Sequence, residues 1–292
     1  MPELPDVELY LHALRPRVLG QPLEGVRLAS ISLLKTFRPP LDAVHGREVV
    51  GLRRVGKRIV FDLEGDLHLV LHLMISGRLQ WKDRGANVPR RVGHAAFDFP
   101  GGSLLVTEAS TKKRASLYVV EGEDGVAEHD RGGLEPLDLS AEEFTEALRS
   151  ASRTLKRMLT DQHVFAGIGN AYSDEILHRA GLSPVQRTTN LSDDEVAGLH
   201  AAVVEVLTEW RDRLIAEAGD DWPTKVTAFR PQMAVHGKYR APCPVCGSSV
   251  QRIVYAESEV NYCPGCQTGG TVLADRSLSR LLGDDWEGMG EA

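Results

Sequence analysis

No run of about 18 apolar residues occurs in the sequence, which excludes a membrane-spanning helix. The start lacks a basic segment leading into an apolar one, so no secretory signal is expected and the chain reads as cytoplasmic. Cysteine is scarce: 4 residues, all between positions 243 and 266. A chain so poor in cysteine is not held by a disulfide framework, and the clustering points to metal instead. Internal repeats and low-complexity tracts are also missing. Positive charge is in deficit. The net charge of −7 weighs mildly against a nucleic-acid partner, whose binders usually carry a basic footprint.

A net charge is a sum, and basic patches can sit inside it. Arg53, Arg54, Lys57 and Arg58 form one cluster; Arg84, Arg90 and Arg91 a second; Lys112, Lys113 and Arg114 a third. The acidic excess lies elsewhere, in "EGEDGVAEHD", "SDDEV" and "GDDWEGMGEA". With 292 residues, 42% of them apolar and 26% charged, the chain is long enough for two domains with cores of their own.

Local pattern divides it. In "PDVELYLHALRPRVLG", Val7, Leu11, Leu14 and Val18 mark one helical stripe, with Asp6 as the expected N-cap and Pro16 expected to end or kink the helix near Arg15. From about residue 22 to 120 the period falls to two. Leu67, Leu69, Leu71 and Leu73 alternate with their neighbours, and turns are expected at Glu64–Asp66 and Pro100–Gly102. After the linker-like "EHDRGGLEPLD" the chain turns helical. Ser140 with Glu143, and Ser192 with Glu195, have the spacing of capping boxes. The second opens a long helix with Val196, Leu199, Val203, Leu207, Trp210 and Leu214 on one face.

Three motifs carry chemistry. Cys243 and Cys246, then Cys263 and Cys266, form two C-x-x-C pairs separated by 16 residues. Two such turns on a hairpin can close a tetrahedron around a structural Zn²⁺. In "AGIGNAYSDEILHRAGLSP", Gly167 and Gly169 allow close backbone approach ahead of a helix expected from about Tyr172. Its free N–H groups and Asn170 can seat a phosphate. The third motif is "MPELPDVE". Once Met1 is removed, Pro2 presents a secondary amine. An α-amino group titrates near about 8, against about 10.4 for lysine, so it is partly neutral and nucleophilic at neutral pH. Glu3 beside it can move protons.

In this order, "PELPDVE", "RRVGKRIVF", "LHLMISGRL", "GGLEPL", "GIGNAYSDEIL", "MAVHGKYRAPCPVCG" and "NYCPGCQ" resemble the bacterial formamidopyrimidine-DNA glycosylase / endonuclease VIII family over nearly the whole chain. The resemblance implies an α+β fold: an N-terminal two-sheet β-sandwich with an N-terminal helix, then a helical helix–two-turn–helix (H2TH) domain and a four-cysteine zinc finger. The expected divisions are 1–130, 131–240, 241–270 and a tail over 271–292. It implies a monomeric, nucleoid-associated DNA glycosylase and abasic-site lyase that acts on damaged double-stranded DNA with the target nucleotide flipped out. Pro2 would be the Schiff-base former, Glu3 its acid–base partner, and Lys57 a grip beside the lesion. Lys57, His72, Met74, Lys113, Arg114, Gly169 and Asn170 would meet DNA, and the four cysteines would hold zinc.

The chain departs from that pattern in places. Asp6 stands where the family commonly has Glu. Ser258, followed by Glu259, replaces an arginine five residues before the third cysteine, with Arg252 earlier in the hairpin. Met74 or Ile75, then Lys113 or Arg114, then Ala115 occupy the places that fill the gap of the flipped base, without the family's aromatic wedge, and Ile75 is expected in a core strand. "AGDDWPTKVTAFRPQ" stands where some members carry a lesion-covering loop. Two other readings remain: a non-catalytic binder of damaged DNA or junctions on the same fold, and a zinc-ribbon protein working on RNA or protein.

Overall fold

The computed structural model describes residues 1–255 and 258–273, so the expected tail lies, from residue 274 on, outside the described residues. The chain forms two compact units. One comprises Met1–Gly133 with Trp210–Thr227; the other comprises Leu134–Glu209 with the chain from Ala228 onward.

The first unit opens with helix α1 (Leu4–Val18), followed by β1 (Pro22–Leu23), β2 (Gly25–Leu28), β3 (Arg47–Val55), β4 (Arg58–Leu63), β5 (Leu67–His72), β6 (Gly77–Lys82), β7 (Gly93–Phe99), β8 (Gly102–Glu108), β9 (Ser116–Glu121) and helix α2 (Gly122–Ala127). These strands make two sheets, ordered β1-β3-β4-β5-β9 and β2-β7-β8-β6. Their inner faces meet where Phe61 packs edge-on to Phe97, ring centroids 6.0 Å apart. The tight turns fall where glycine and proline put them. Gly65 and Asp66 adopt φ of 82° and 59° between β4 and β5, and Pro100 and Gly101 join β7 to β8.

The expected stripe of α1 is buried, and so are Leu4, Leu9, Tyr10 and Ala13 on its other sides. Two expectations for this helix fail. Its N-cap is Glu3, and Asp6 sits at the third helical position. Pro16 lies inside the helix, which runs on to Val18. The proline has no N–H for the His12 carbonyl, and this near the helix end the loss is confined to that one bond. Trp222 belongs to this unit too. Its ring lies 6.0 Å from Tyr10 and 6.2 Å from Trp81, the Arg17 guanidinium covers it, and its Nε1 donates to Leu79 O at 3.2 Å.

The second unit contains α3 (Ala141–Arg149), α4 (Leu155–Thr160), α5 (Asn170–Arg179), the first two-thirds of α6 (Asp193–Ala218), the hairpin of β10 (Gln251–Val254) and β11 (Glu259–Tyr262), and α7 (Pro264–Gln267). Both capping boxes form as the spacing predicts. Ser140 Oγ accepts from Glu143 N while Glu143 accepts from Ser140 N, at 3.2 and 2.9 Å, and Ser192 and Glu195 repeat the exchange at 3.2 and 2.8 Å. The six apolar residues expected on one face of α6 are all buried. Phe144 stacks on Phe165 and on His200 in the core of the helices. Among the described residues no helix is long and apolar enough to cross a membrane.

Candidate functional site

The start of α1 is built as a reactive corner. Pro2 is buried directly ahead of the helix, and Glu3, 3% exposed, caps it. Glu3 N donates to Asp6 Oδ2 at 3.1 Å, and the Glu3 carboxylate accepts from the Asp6 backbone in return. The shorter Asp6 side chain therefore still reaches the bond that holds Glu3 in place. Lys57 lies between strands β3 and β4. It sits in the two-residue turn after Gly56, whose φ of 56° lets β3 reverse into β4, and its side chain is buried. The Met1 α-amine, one residue ahead of Pro2, is held below its ordinary range. Burial is the main cause; Glu3 and Asp6 pull the other way, while Arg78 and Lys57 push down. One nitrogen position thus feels two carboxylates and two cations.

His72 ends β5, and its buried Nε2 meets no hydrogen-bond partner among the described residues. Burial, with Arg58, Lys57 and Arg131 nearby, brings it down to about 3, so the ring is neutral at neutral pH. Beyond it, β5 is over. Met74 adopts a left-handed φ of 53° in the loop to β6, and Ile75 is 55% exposed, so the core-strand expectation for Ile75 is wrong. A methionine at positive φ is uncommon and costs on the order of 1–2 kcal/mol. The loop after β8 is tied to a buried carboxylate. Glu108 accepts from Arg114 N at 2.9 Å, Ala115 N at 3.1 Å and His94 Nε2 at 2.9 Å, and Lys113 Nζ donates to its backbone carbonyl. Arg114 is left exposed at the rim of this loop, while Ala115 is buried where a wedge would stand.

In the second unit, α5 begins at Asn170, two residues earlier than expected, with Gly169 as N-cap and Gly167 at a φ of 82°. The glycine turn is braced by Gln162, which donates to Ile168 O at 2.7 Å and accepts from Gly167 N at 3.1 Å. Asn170 Nδ2 donates to Glu259 O at 2.9 Å, so the turn and the finger hairpin are linked through the residue expected on phosphate. Lys156, buried, donates to Asn170 O at 2.6 Å, Ser173 Oγ at 2.8 Å and the Asp174 carboxylate. Asp174 also receives His236 Nδ1 at 2.7 Å and Asn261 N at 3.1 Å. Glu175 caps the backbone N–H groups of Ala234, Val235 and His236 at 2.7 to 2.9 Å.

The four cysteines are reduced and converge. Cys243 and Cys266 Sγ atoms are 3.8 Å apart, Cys246 and Cys263 Sγ atoms 3.3 Å. A tetrahedron with metal–sulfur bonds of about 2.3 Å has edges of about 3.8 Å, which the Cys243–Cys266 pair matches and the Cys246–Cys263 pair approaches. The knuckles are closed by Gly247 N to Cys243 O and Gln267 N to Cys263 O. A Cβ on Gly265 would stand 2.9 Å from Cys246 Sγ, so the second knuckle requires glycine there. A fifth candidate ligand, His178, places Nε2 3.3 Å from Cys243 Sγ.

Comparison with known proteins matches residues 1–113 to the formamidopyrimidine-DNA glycosylase N-terminal domain and residues 133–211 to the formamidopyrimidine-DNA glycosylase H2TH domain. The chain belongs to the formamidopyrimidine-DNA glycosylase (Fpg) family. Relatives named formamidopyrimidine-DNA glycosylase include that of Heliobacterium modesticaldum, 34% identical over 91% of this chain and 100% of its own, and that of Thermus thermophilus, 33% identical over 92% and 100%. Among solved structures, Lactococcus lactis Fpg bound non-covalently to DNA containing an abasic site superposes with a TM-score of 0.79 at 25% identity, covering 91% of this chain and 99% of that one.

Family motifs led to Pro2, Glu3, Lys57, the glycine turn and the cysteines. They did not lead to Arg78, whose charge acts on the Met1 amine, or to Glu108, Lys156, Asp174, Glu175 and Gln162, which hold the loops. The signal available in the sequence was indirect. Carboxylates in otherwise apolar stretches, such as "LLVTEAS" and "SDEIL", are buried only with partners.

Proposed function

We propose that this Fpg-family protein excises damaged, oxidised or ring-opened bases from double-stranded DNA and then cleaves the abasic site through a Schiff base on Pro2. The observation that carries the reading is the corner at the start of α1, where Pro2 is buried beside the Glu3–Asp6 pair and the charges of Glu3, Asp6, Lys57 and Arg78 all act on the Met1 amine one residue away. With Met1 attached the Pro2 nitrogen is an amide, so the chemistry requires removal of Met1. The freed nitrogen attacks C1′ of the extruded nucleotide. The glycosidic bond breaks, the base leaves with a proton, and an iminium ion links Pro2 to the sugar. Glu3, within reach of the same atoms, passes protons to the ring oxygen and the leaving base. The iminium acidifies the 2′ proton; its loss expels the 3′ phosphate, and a second elimination expels the 5′ phosphate. Hydrolysis of the remaining iminium ion releases the sugar fragment as an aldehyde and restores the amine.

Binding is assigned to charges and loops already described. Lys57 and the Gly169–Asn170 turn take phosphates beside the lesion, with the neutral ring of His72 next to Lys57. Met74, Lys113 and Arg114 enter the space vacated by the flipped base. Cys243, Cys246, Cys263 and Cys266 hold one Zn²⁺, which fixes the finger hairpin and takes no part in the chemistry. The protein acts as a cytoplasmic, nucleoid-associated monomer. Support comes from the family membership and from relatives crystallised on damaged DNA.

Borohydride trapping on abasic-site duplex tests the reading. Protein lacking Met1 is expected to give a covalent adduct, and Pro2→Gly to lose most of it. No adduct from Met1-free protein, together with tight binding to damaged duplex, would favour a non-catalytic lesion binder. That alternative draws on the absence of a cation at Ser258.

A further inference from the structure

His178 lies on the last turn of α5, in the helical part of the second unit, yet its ring reaches the cysteine cluster. It is 8% exposed, and Nε2 stands 3.3 Å from the Sγ of Cys243, itself 3% exposed. The length is that of an N–H···S hydrogen bond. Four sulfurs can supply a full tetrahedral set by themselves, while His178 Nε2 also lies within 4.8 Å of the Cys243, Cys263 and Cys266 sulfurs. A four-thiolate zinc site carries two net negative charges, and a buried thiolate among Val235, Val250 and Cys263 lacks water to spread that charge. A fixed N–H donor answers this need. It also joins the finger to the helix whose N-terminus carries Asn170, ten residues from one end of α5 to the other.

We infer that His178 is a positioning residue of the metal centre: it donates its Nε2–H to the Cys243 thiolate and fastens the finger to α5, without ligating the ion. The inference rests on the reading of the four cysteines as a metal site.

The experiment uses the full chain, loaded with zinc and separately with cobalt(II). Chelator-driven zinc release is followed for wild type, His178→Phe, which keeps a flat ring and removes the donor, and His178→Gln, which keeps an N–H. Loss of an outer-shell partner commonly costs about 10–100-fold in metal affinity. His178→Phe is expected to release zinc about 10–100-fold faster, and His178→Gln to stay within about threefold of wild type. In all three proteins the cobalt charge-transfer bands should keep the intensity of four thiolates. Equal release from wild type and His178→Phe, equal acceleration in both variants, or a change of the cobalt spectrum from a nitrogen-containing to an all-sulfur set on removing His178 would overturn the inference. Should His178→Phe not fold, the comparison of His178→Gln with wild type decides, because release accelerated beyond about tenfold in that variant contradicts the donor role. A wild-type chain that takes up neither metal would sink the metal site itself, a separate result from any of these.

Discussion

Glu108 offers the sharpest quantitative test. Its carboxylate, 1% exposed, gathers the His94 ring and the backbone N–H groups of Arg114 and Ala115, with Ser76 Oγ at 3.3 Å. Glu108→Ala removes the acceptor and leaves a fully buried imidazole and two amides without partners. Breaking a buried charged contact in this way costs about 3–5 kcal/mol, since each stranded donor keeps its desolvation penalty. For a unit of this size, about 2–4 °C per kcal/mol predicts a melting temperature lower by roughly 6–20 °C. Acid adds a second readout. Burial pushes the Glu108 carboxyl up, but the bonds from Ala115, His94 and Arg114 more than offset it, so its pKa in the fold lies below the ordinary value. The unfolded chain then binds the proton first as pH falls. The stabilisation is therefore present above the ordinary carboxylate range and is lost as pH drops through the folded value, with a slope of up to about 1.4 kcal/mol per pH unit. Glu108→Ala should lose that part of the acid slope. Calorimetry at pH 7 and at steps below pH 5 measures both, and a variant that melts within about 1 °C of wild type, or keeps the full acid slope, would refute the account.

Met74→Gly should relieve a left-handed strain worth on the order of 1 kcal/mol, leaving thermal stability equal or higher, while single-turnover base release from lesion duplex slows. Slower release accompanied by a lower melting point would show that Met74 is structural. Lys156→Met takes the ammonium from the Asp174 carboxylate, which is 0% exposed and keeps only His236 and Asn261 as donors, and is expected to cost about 3–5 kcal/mol in denaturant unfolding; a cost below about 1 kcal/mol would contradict the buried pairing. Lys57→Ala should lower the slope of log binding constant against log salt by about one unit on abasic duplex, and an unchanged slope would remove Lys57 from the phosphate contacts. Ser140→Ala should cost about 1 kcal/mol by losing the cap of α3, measured by urea melts.

Much of the fold was legible because period and turn chemistry are local. The alternation in "LHLVLH", the turns at Gly65 and Gly101, and both serine caps are written in neighbouring residues. What misled was also local. Asp6 has the chemistry of a cap and so drew that role, but the chain enters the helix one turn earlier because Glu3 and Asp6 satisfy each other. Pro16 breaks helices in their middle and is tolerated here at an end. Ile75 looked like a continuation of β5, and only the reversal at Met74 turns it outward. The site shows the same division. Residues with reactive chemistry at fixed spacing can be picked out one by one. Arg78, Glu108 and the Asp174 network act through partners 6 to 87 positions away, as Arg114 is from Glu108 and Asn261 from Asp174, and no spacing rule reaches that far.

Trp222 has a practical bearing on how this protein can be taken apart. The β-sandwich is completed by residues 210–227, which arrive only after the helices have been made, and that segment brings the indole that lies against Tyr10 and Trp81. A fragment ending at Gly133 would therefore present bare aromatic rings and an orphaned Leu79 carbonyl. During synthesis the earlier portion must wait, incompletely sealed, until the ribosome has delivered nearly a hundred further residues.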